Sequence, residues 1–131
     1  MGREWINIKE YGQLYLDKVL VTFDYPILFV CEDFEKKKYL CLNVDSENNK
    51  YVICEVDKNQ LIGMLNNKLT METVFRECVN RRIVVAEYDF ENETIKSHSE
   101  DARNISGDLL PKRGAYFELS NKNIEILKNL L

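Results

Sequence analysis

The chain has 131 residues, 45% hydrophobic and 31% charged, a balance that supports one folded core and excludes a disordered polymer. Its net charge of −4, from 22 acidic and 18 basic residues, argues against nonspecific nucleic-acid binding, which needs a basic footprint. The longest apolar run, Ile27-Leu28-Phe29-Val30-Cys31, is far short of the roughly 20 residues that span a bilayer; no apolar leader follows Met1-Gly2-Arg3-Glu4, so no membrane contact and a cytoplasmic location are expected.

Residues 13–56 read as β-structure. Leu14-Tyr15-Leu16 and Val19-Leu20-Val21-Thr22-Phe23 are rich in β-branched and aromatic types, and Asp24-Tyr25-Pro26 interrupts them. The apolar run from Ile27 predicts a central strand covered on both faces, and the polar stretch 32–37 a turn. Next comes strict alternation, with Leu40, Leu42 and Val44 on one face and Tyr39, Cys41 and Asn43 on the other. After the turn Asp45-Ser46-Glu47-Asn48-Asn49, alternation resumes through Val52, Cys54 and Val56. Short polar connections between successive strands predict an antiparallel meander.

The period then changes. Asp57 with Gln60 three residues later forms a capping-box pattern ahead of Leu61, Ile62 and Leu65, and Thr70 heads a second helix with Met71, Val74, Phe75, Cys78 and Val79 at helical spacing. The corner Asn66-Asn67-Lys68-Leu69 makes the two a helical hairpin. Ile83-Val84-Val85-Ala86 returns to strand, 89–96 reads as a hairpin turn with a short return strand, and Asp89, Glu91 and Glu93 within it alternate as the water-facing side of a strand does. No periodicity holds over 97–115, and an irregular stretch of that length is usually functional or disordered. Ser120 caps a terminal helix carrying Ile124, Leu127 and Leu131. The expected fold is a single α+β domain: an antiparallel meander sheet with the helical hairpin and the C-terminal helix packed on it.

Four cysteines, Cys31, Cys41, Cys54 and Cys78, fall singly in apolar segments, and His98 is the sole histidine. Zinc sites draw on closely spaced ligand pairs, which are missing, so neither metal nor other cofactor is expected and the thiols read as small buried hydrophobes. Cys41, on the face of Tyr39 and Asn43, is the one with a prospect of exposure.

The runs Leu16-Asp17-Lys18-Val19-Leu20, Asp24-Tyr25-Pro26-Ile27-Leu28-Phe29-Val30-Cys31 and Tyr39-Leu40-Cys41-Leu42 resemble the opening of a family of small bacterial and phage proteins of unknown function. In that family a strand ending in Asp/Tyr-Pro leads to an apolar strand, a charged turn, a hairpin strand and a helix, here 57–66. The resemblance covers 14–77 and carries no catalytic residue. It implies a bacterial or phage source and an accessory role in conflict between phage and host, as inhibitor or defence component.

Three chemistries compete. A hydrolase or nuclease would draw on His98, Glu100 and Asp101, although one histidine beside two acids in a loop is usually a solvated turn. A nucleic-acid-binding module would draw on Lys36-Lys37-Lys38, Arg81-Arg82 and Lys112-Arg113, but acids flank the first two of these groups and no glycine-rich phosphate loop is present. A non-catalytic protein-interaction or regulatory role fits best. Seven tyrosines, six phenylalanines and one tryptophan supply the residue types interfaces favour. The contact candidates are Trp5 and Tyr11 ahead of the first strand, Phe34 at a turn tip, Tyr39, and Asp108, Lys112, Arg113, Tyr116 and Phe117 along the late irregular stretch. The expected partner is a protein, with self-association through an uncovered edge strand as a further form.

Overall fold

A computed structural model describes residues 2–117, and in it seven strands form one antiparallel sheet whose order is the order of the chain. They are β1 (Arg3–Ile8), β2 (Gly12–Phe23), β3 (Tyr25–Glu32), β4 (Lys38–Asp45), β5 (Lys50–Val56), β6 (Arg82–Asp89) and β7 (Thr94–Asp101). Between β5 and β6 lie α1 (Lys58–Leu65) and α2 (Met71–Arg76), of eight and six residues. The expected α+β layering is therefore corrected: the described residues form a curled seven-stranded sheet, a half-barrel, with only two short α-helices among them. The helix expected after Ser120 lies outside the described residues.

Curling follows from what each face buries. On one face Leu28, Val30, Leu40, Val52, Cys54, Ile83 and Val85 pack beneath Leu61 and Met64 of α1 and Val74 and Phe75 of α2. On the other face Phe29, Cys31, Tyr39, Cys41, Ile53, Val84 and Ala86 pack with Ile6 and Ile8 of β1. In the sheet order β1 and β6 stand far apart, so this shared cluster exists only if the sheet bends back on itself. Register shifts at Glu4/Ile6 in β1 and at three places in β2 supply the bend, since an extra residue on one strand kinks it and raises its twist. Two side-chain contacts join the far ends: Ser97 Oγ donates to Glu10 Oε1 at 2.7 Å, and Tyr11 Oη to the Arg82 carbonyl at 3.5 Å.

That curvature corrects two further expectations. Tyr39 is 2% exposed and Cys41 fully buried, because β1 and the start of β2 cover the face the alternation leaves to solvent. The irregular stretch begins at Ala102 instead of residue 97, since β7 continues to Asp101. From there the backbone wraps the helices: Arg76 Nη1 donates to the carbonyls of Ala102 and Ile105 at 3.1 and 3.3 Å, and the Met71 N–H to that of Ala115 at 3.0 Å.

The helices start where their caps do. Gln60 N–H donates to Asp57 Oδ1 at 2.7 Å while Asp57 N–H donates to Gln60 Oε1 at 2.9 Å, and Thr73 N–H donates to Thr70 Oγ1 at 3.2 Å. Gln60 Nε2 then reaches the Glu77 carbonyl at 2.7 Å, tying the two helices together.

Two hairpin turns are built alike. Asp45 Oδ1 accepts from the N–H groups of Glu47 and Asn48, and Asp45 Oδ2 from Asn48 Nδ2 at 2.7 Å. Asp89 repeats this with Glu91 and Asn92, at 2.8 Å for the amide. Asn49 and Glu93 close the turns at φ of 51°. The acids after Asp89 thus sit in a turn, not on a strand face. In both aspartates the amide and backbone donors hold the carboxyl below its usual range. A depressed folded pKa gives stabilisation that is whole above the unfolded value of about 4 and fades as pH falls through the folded one. Alanine at both Asn48 and Asn92 is expected to move the acid-unfolding midpoint to higher pH by a few tenths of a unit, read by circular dichroism; an unchanged midpoint would show that these turns add nothing to acid resistance.

Candidate functional site

Antiparallel succession puts the turns after β2, β4 and β6 at one end of the half-barrel and those after β1 and β3 at the other. The first end is aromatic. Trp5 stands edge-on to Phe29 at 4.9 Å and to Tyr51 at 5.1 Å, and Phe90 stands edge-on to Tyr88 at 4.4 Å. Phe90, at the tip of its turn, is 67% exposed, and Tyr25 is also exposed.

Three hollows adjoin there. One of about 170 Å³ runs between Tyr25, Pro26, Phe29 and Asn43, and its wall of Trp5 and Tyr51 is shared with a second, of about 240 Å³, floored by Ile6. The second shares Asn49, Tyr88 and Phe90 with a third, of about 380 Å³, rimmed by Glu47, Glu87, Asp89 and Glu91. Asn43 Oδ1 is buried without a hydrogen-bond partner. Burial pushes the Tyr51 phenol upward, so at neutral pH the ring is an uncharged, apolar wall with a donor at its tip. Such a surface offers apolar area and hydrogen-bond acceptors.

Of the contact candidates named from the sequence, Trp5 alone is placed among the lining residues of this end. Tyr11 stacks on Tyr39 at 4.6 Å between centroids, and Tyr39 Oη donates to Asp33 Oδ2 at 2.9 Å. Phe34 is 69% exposed at the tip of the β3–β4 turn, edge-on to Tyr15 at 5.2 Å, on the opposite end of the half-barrel. Asp108, Lys112 and Arg113 are exposed, Tyr116 is exposed and Phe117 packs against the helix-covered cluster.

The alternative catalytic set divides. His98 Nε2 lies 2.8 Å from Glu100 Oε2 on the exposed edge strand β7, while Asp101 faces the other way and pairs with Arg103 at 2.9 Å. The Arg103 guanidinium and backbone N–H together hold the Asp101 carboxyl down at about 2. Among the described residues no group of three or more His, Cys, Asp or Glu side chains is placed to hold a metal ion. The basic groups are scattered: Lys38 is committed to Asp17 and Glu32, Lys37 pairs loosely with Glu35 at 3.6 Å, and Arg82 Nε donates to Ser99 Oγ at 3.0 Å.

The free edges of the sheet, β1 and β7, approach each other across a gap of about 290 Å³ between Asn7, Ile8, Lys9 and Ile95, Lys96, Ser97. Among the described residues no helix is long and apolar enough to cross a membrane.

The residues at the aromatic end come from β1, β3, β4, β5, β6 and two turns, so no contiguous motif announces them. One local signal does exist: Trp5-Ile6-Asn7-Ile8 alternates apolar with polar ahead of Gly12, which reads as a strand and a turn and puts Ile6 and Ile8 on one face. Comparison with protein families, with curated proteins and with solved structures finds no match to this chain.

Proposed function

We propose that this chain is a non-catalytic interaction protein that binds a partner protein through the aromatic end of the half-barrel. The observation that carries the reading is the clustering of Phe90 and Tyr25, both exposed, around hollows walled by Trp5, Tyr51 and Tyr88. Single exposed apolar residues are ordinary on protein surfaces, whereas contiguous aromatic patches with pockets are where interface hot spots concentrate. Self-association through the edge of β7 would have to open the bond from Ser97 to Glu10 in the β1–β2 turn. An accessory role between phage and host rests on the resemblance over residues 14–77 and belongs to the same proposal.

The test compares the two ends of the molecule on the purified partner recovered by affinity capture. Phe90→Ala is expected to weaken partner binding about tenfold to thirtyfold, 1.4 to 2 kcal/mol, with an unchanged melting temperature, because the ring is exposed at a turn tip. Phe34→Ala, equally exposed at the opposite end, is expected to leave binding unchanged. The reverse pattern would move the contact surface to the β3–β4 turn.

A further inference from the structure

Charge on this molecule is gathered at the aromatic end. The two alike hairpin turns and their flanks hold Asp45, Glu47, Glu87, Asp89, Glu91 and Glu93 against Lys50 and Lys96 alone. Six acids against two lysines leave a net charge of −4, equal to that of the whole chain. The remaining residues balance. The acidic rim and the aromatic hollow are one surface, since Tyr88, Phe90 and Asn49 line both.

Polar groups facing this surface are almost all acceptors. Glu47, Glu87 and Glu91 are carboxylates in the third hollow, and Asn43 Oδ1, on a residue lining the first hollow, is buried with no donor among the described residues. Lys96 in the third hollow and Arg3 in the first are the exceptions, outnumbered by the carboxylates of Glu47, Glu87, Asp89 and Glu91. The hollows follow one another across the end instead of closing over one point, so the ligand that fills them is extended.

Resting on the reading of this end as a protein-binding surface, we infer that the partner presents an extended basic peptide segment. An apolar or aromatic anchor sits between Trp5, Tyr51 and Tyr88, and lysine or arginine side chains reach the carboxylates of Glu47, Glu87 and Glu91. Cations gain twice here, from the carboxylates and from the faces of Tyr88 and Phe90. Electrostatic complementarity of this kind mainly speeds association and rejects acidic competitors.

Trp5 is the only tryptophan in the chain, so intrinsic fluorescence reports this surface directly. The probes are acetylated, amidated octapeptides with a central leucine or phenylalanine flanked by lysine and arginine, the same peptides with glutamate in place of the basic residues, and spermine. Basic peptides are expected to shift Trp5 emission, to bind at least about tenfold more weakly to Glu47→Gln/Glu91→Gln, and to weaken as salt rises from about 50 to about 300 mM. Both glutamates are exposed, and their backbone N–H groups, which build the turns, are untouched by the change. Equal or tighter binding of the acidic peptides would overturn the partner chemistry and leave the surface standing. Spermine binding as tightly as the peptides would overturn the peptide and its anchor. Calorimetric binding of basic peptides that Phe90→Ala does not alter would place them elsewhere and overturn the surface itself, and binding by none of the probes would overturn both.

Discussion

Alanine at Phe75 is expected to cost about 4 kcal/mol of stability, the largest effect of any single truncation in this protein. The ring is fully buried, on a helix of only six residues. A helix that short has no stability of its own in water, so α2 exists because Val74 and Phe75 pack on the sheet. Phe75 shares its cluster with Leu61 and Met64 of α1 and with Leu40, Cys54 and Ile83 of the sheet, and its removal leaves a cavity that neighbours on four elements would have to fill. Against a total of about 5–15 kcal/mol for a domain, that loss is a large fraction. The expected readout is a drop in the urea midpoint with unchanged slope and a fall in melting temperature on the order of 15 °C. Phe75→Leu, which keeps most of the volume, is expected to recover more than half of the loss. A cost below about 1 kcal/mol would show that the helices only rest on the sheet without being part of its core.

How much of this was legible follows from how far apart the determining residues are. Helix starts are local events, and the reciprocal bonds of Asp57 with Gln60 and the cap that Thr70 Oγ1 makes by accepting from the Thr73 N–H stand where the sequence indicates. Alternation in β4 and β5 is equally local, and Leu40, Val52 and Cys54 share one face as read. Curvature is not local. It depends on bulges in β1 and β2 and on Ile6 and Ile8 meeting Val84 and Ala86 nearly eighty residues later. Without the curl, Tyr39 reads as a solvent-facing contact residue; with it, the ring is interior. For β7 the reason differs. Thr94–Asp101 carries one apolar residue, Ile95, because an edge strand has little to bury, and its composition is that of a loop. Helix capping marked where two helices start, but α2 ends at Arg76, short of the expected Cys78 and Val79, and caps could not weigh two short helices against seven strands, which is why the layered fold was expected in place of the half-barrel. Of the aromatic end only Trp5 stood out; Phe90 and Tyr88 become a surface through a turn whose two aspartate-centred copies lie 44 positions apart, at Asp45 and Asp89.

Methionine at Lys38 is expected to destabilise the protein by about 2–3 kcal/mol, well beyond what an exposed ion pair is worth. Lys38 Nζ donates to Asp17 Oδ2 at 2.7 Å and to Glu32 Oε2 at 3.1 Å, and the three side chains are only 21%, 17% and 12% exposed. Geometry brings them together from three strands: Lys38 lies directly opposite Glu32, and Asp17 falls at the register shift between Leu16 and Lys18, which leaves it without a cross-strand partner. Taking away the cation leaves two half-buried carboxylates facing one another with no counter-charge. Burial alone would lower the Lys38 pKa, but the hydrogen bonds to Asp17 and Glu32 and their charges outweigh it, and the amine is raised above its usual value of 10.5. A folded pKa above the unfolded one means that the stabilisation is complete below the unfolded value and is lost as pH rises through the folded one. The free-energy gap between wild type and Lys38→Met is therefore expected to stay constant from neutral pH to about 10 and to close above it. Tyrosine ionisation in the same range is common to both proteins and cancels in the difference. Urea titrations at a series of pH values measure that gap, and one that persists unchanged at high pH would assign the loss to the lysine's packed stem instead of its charge.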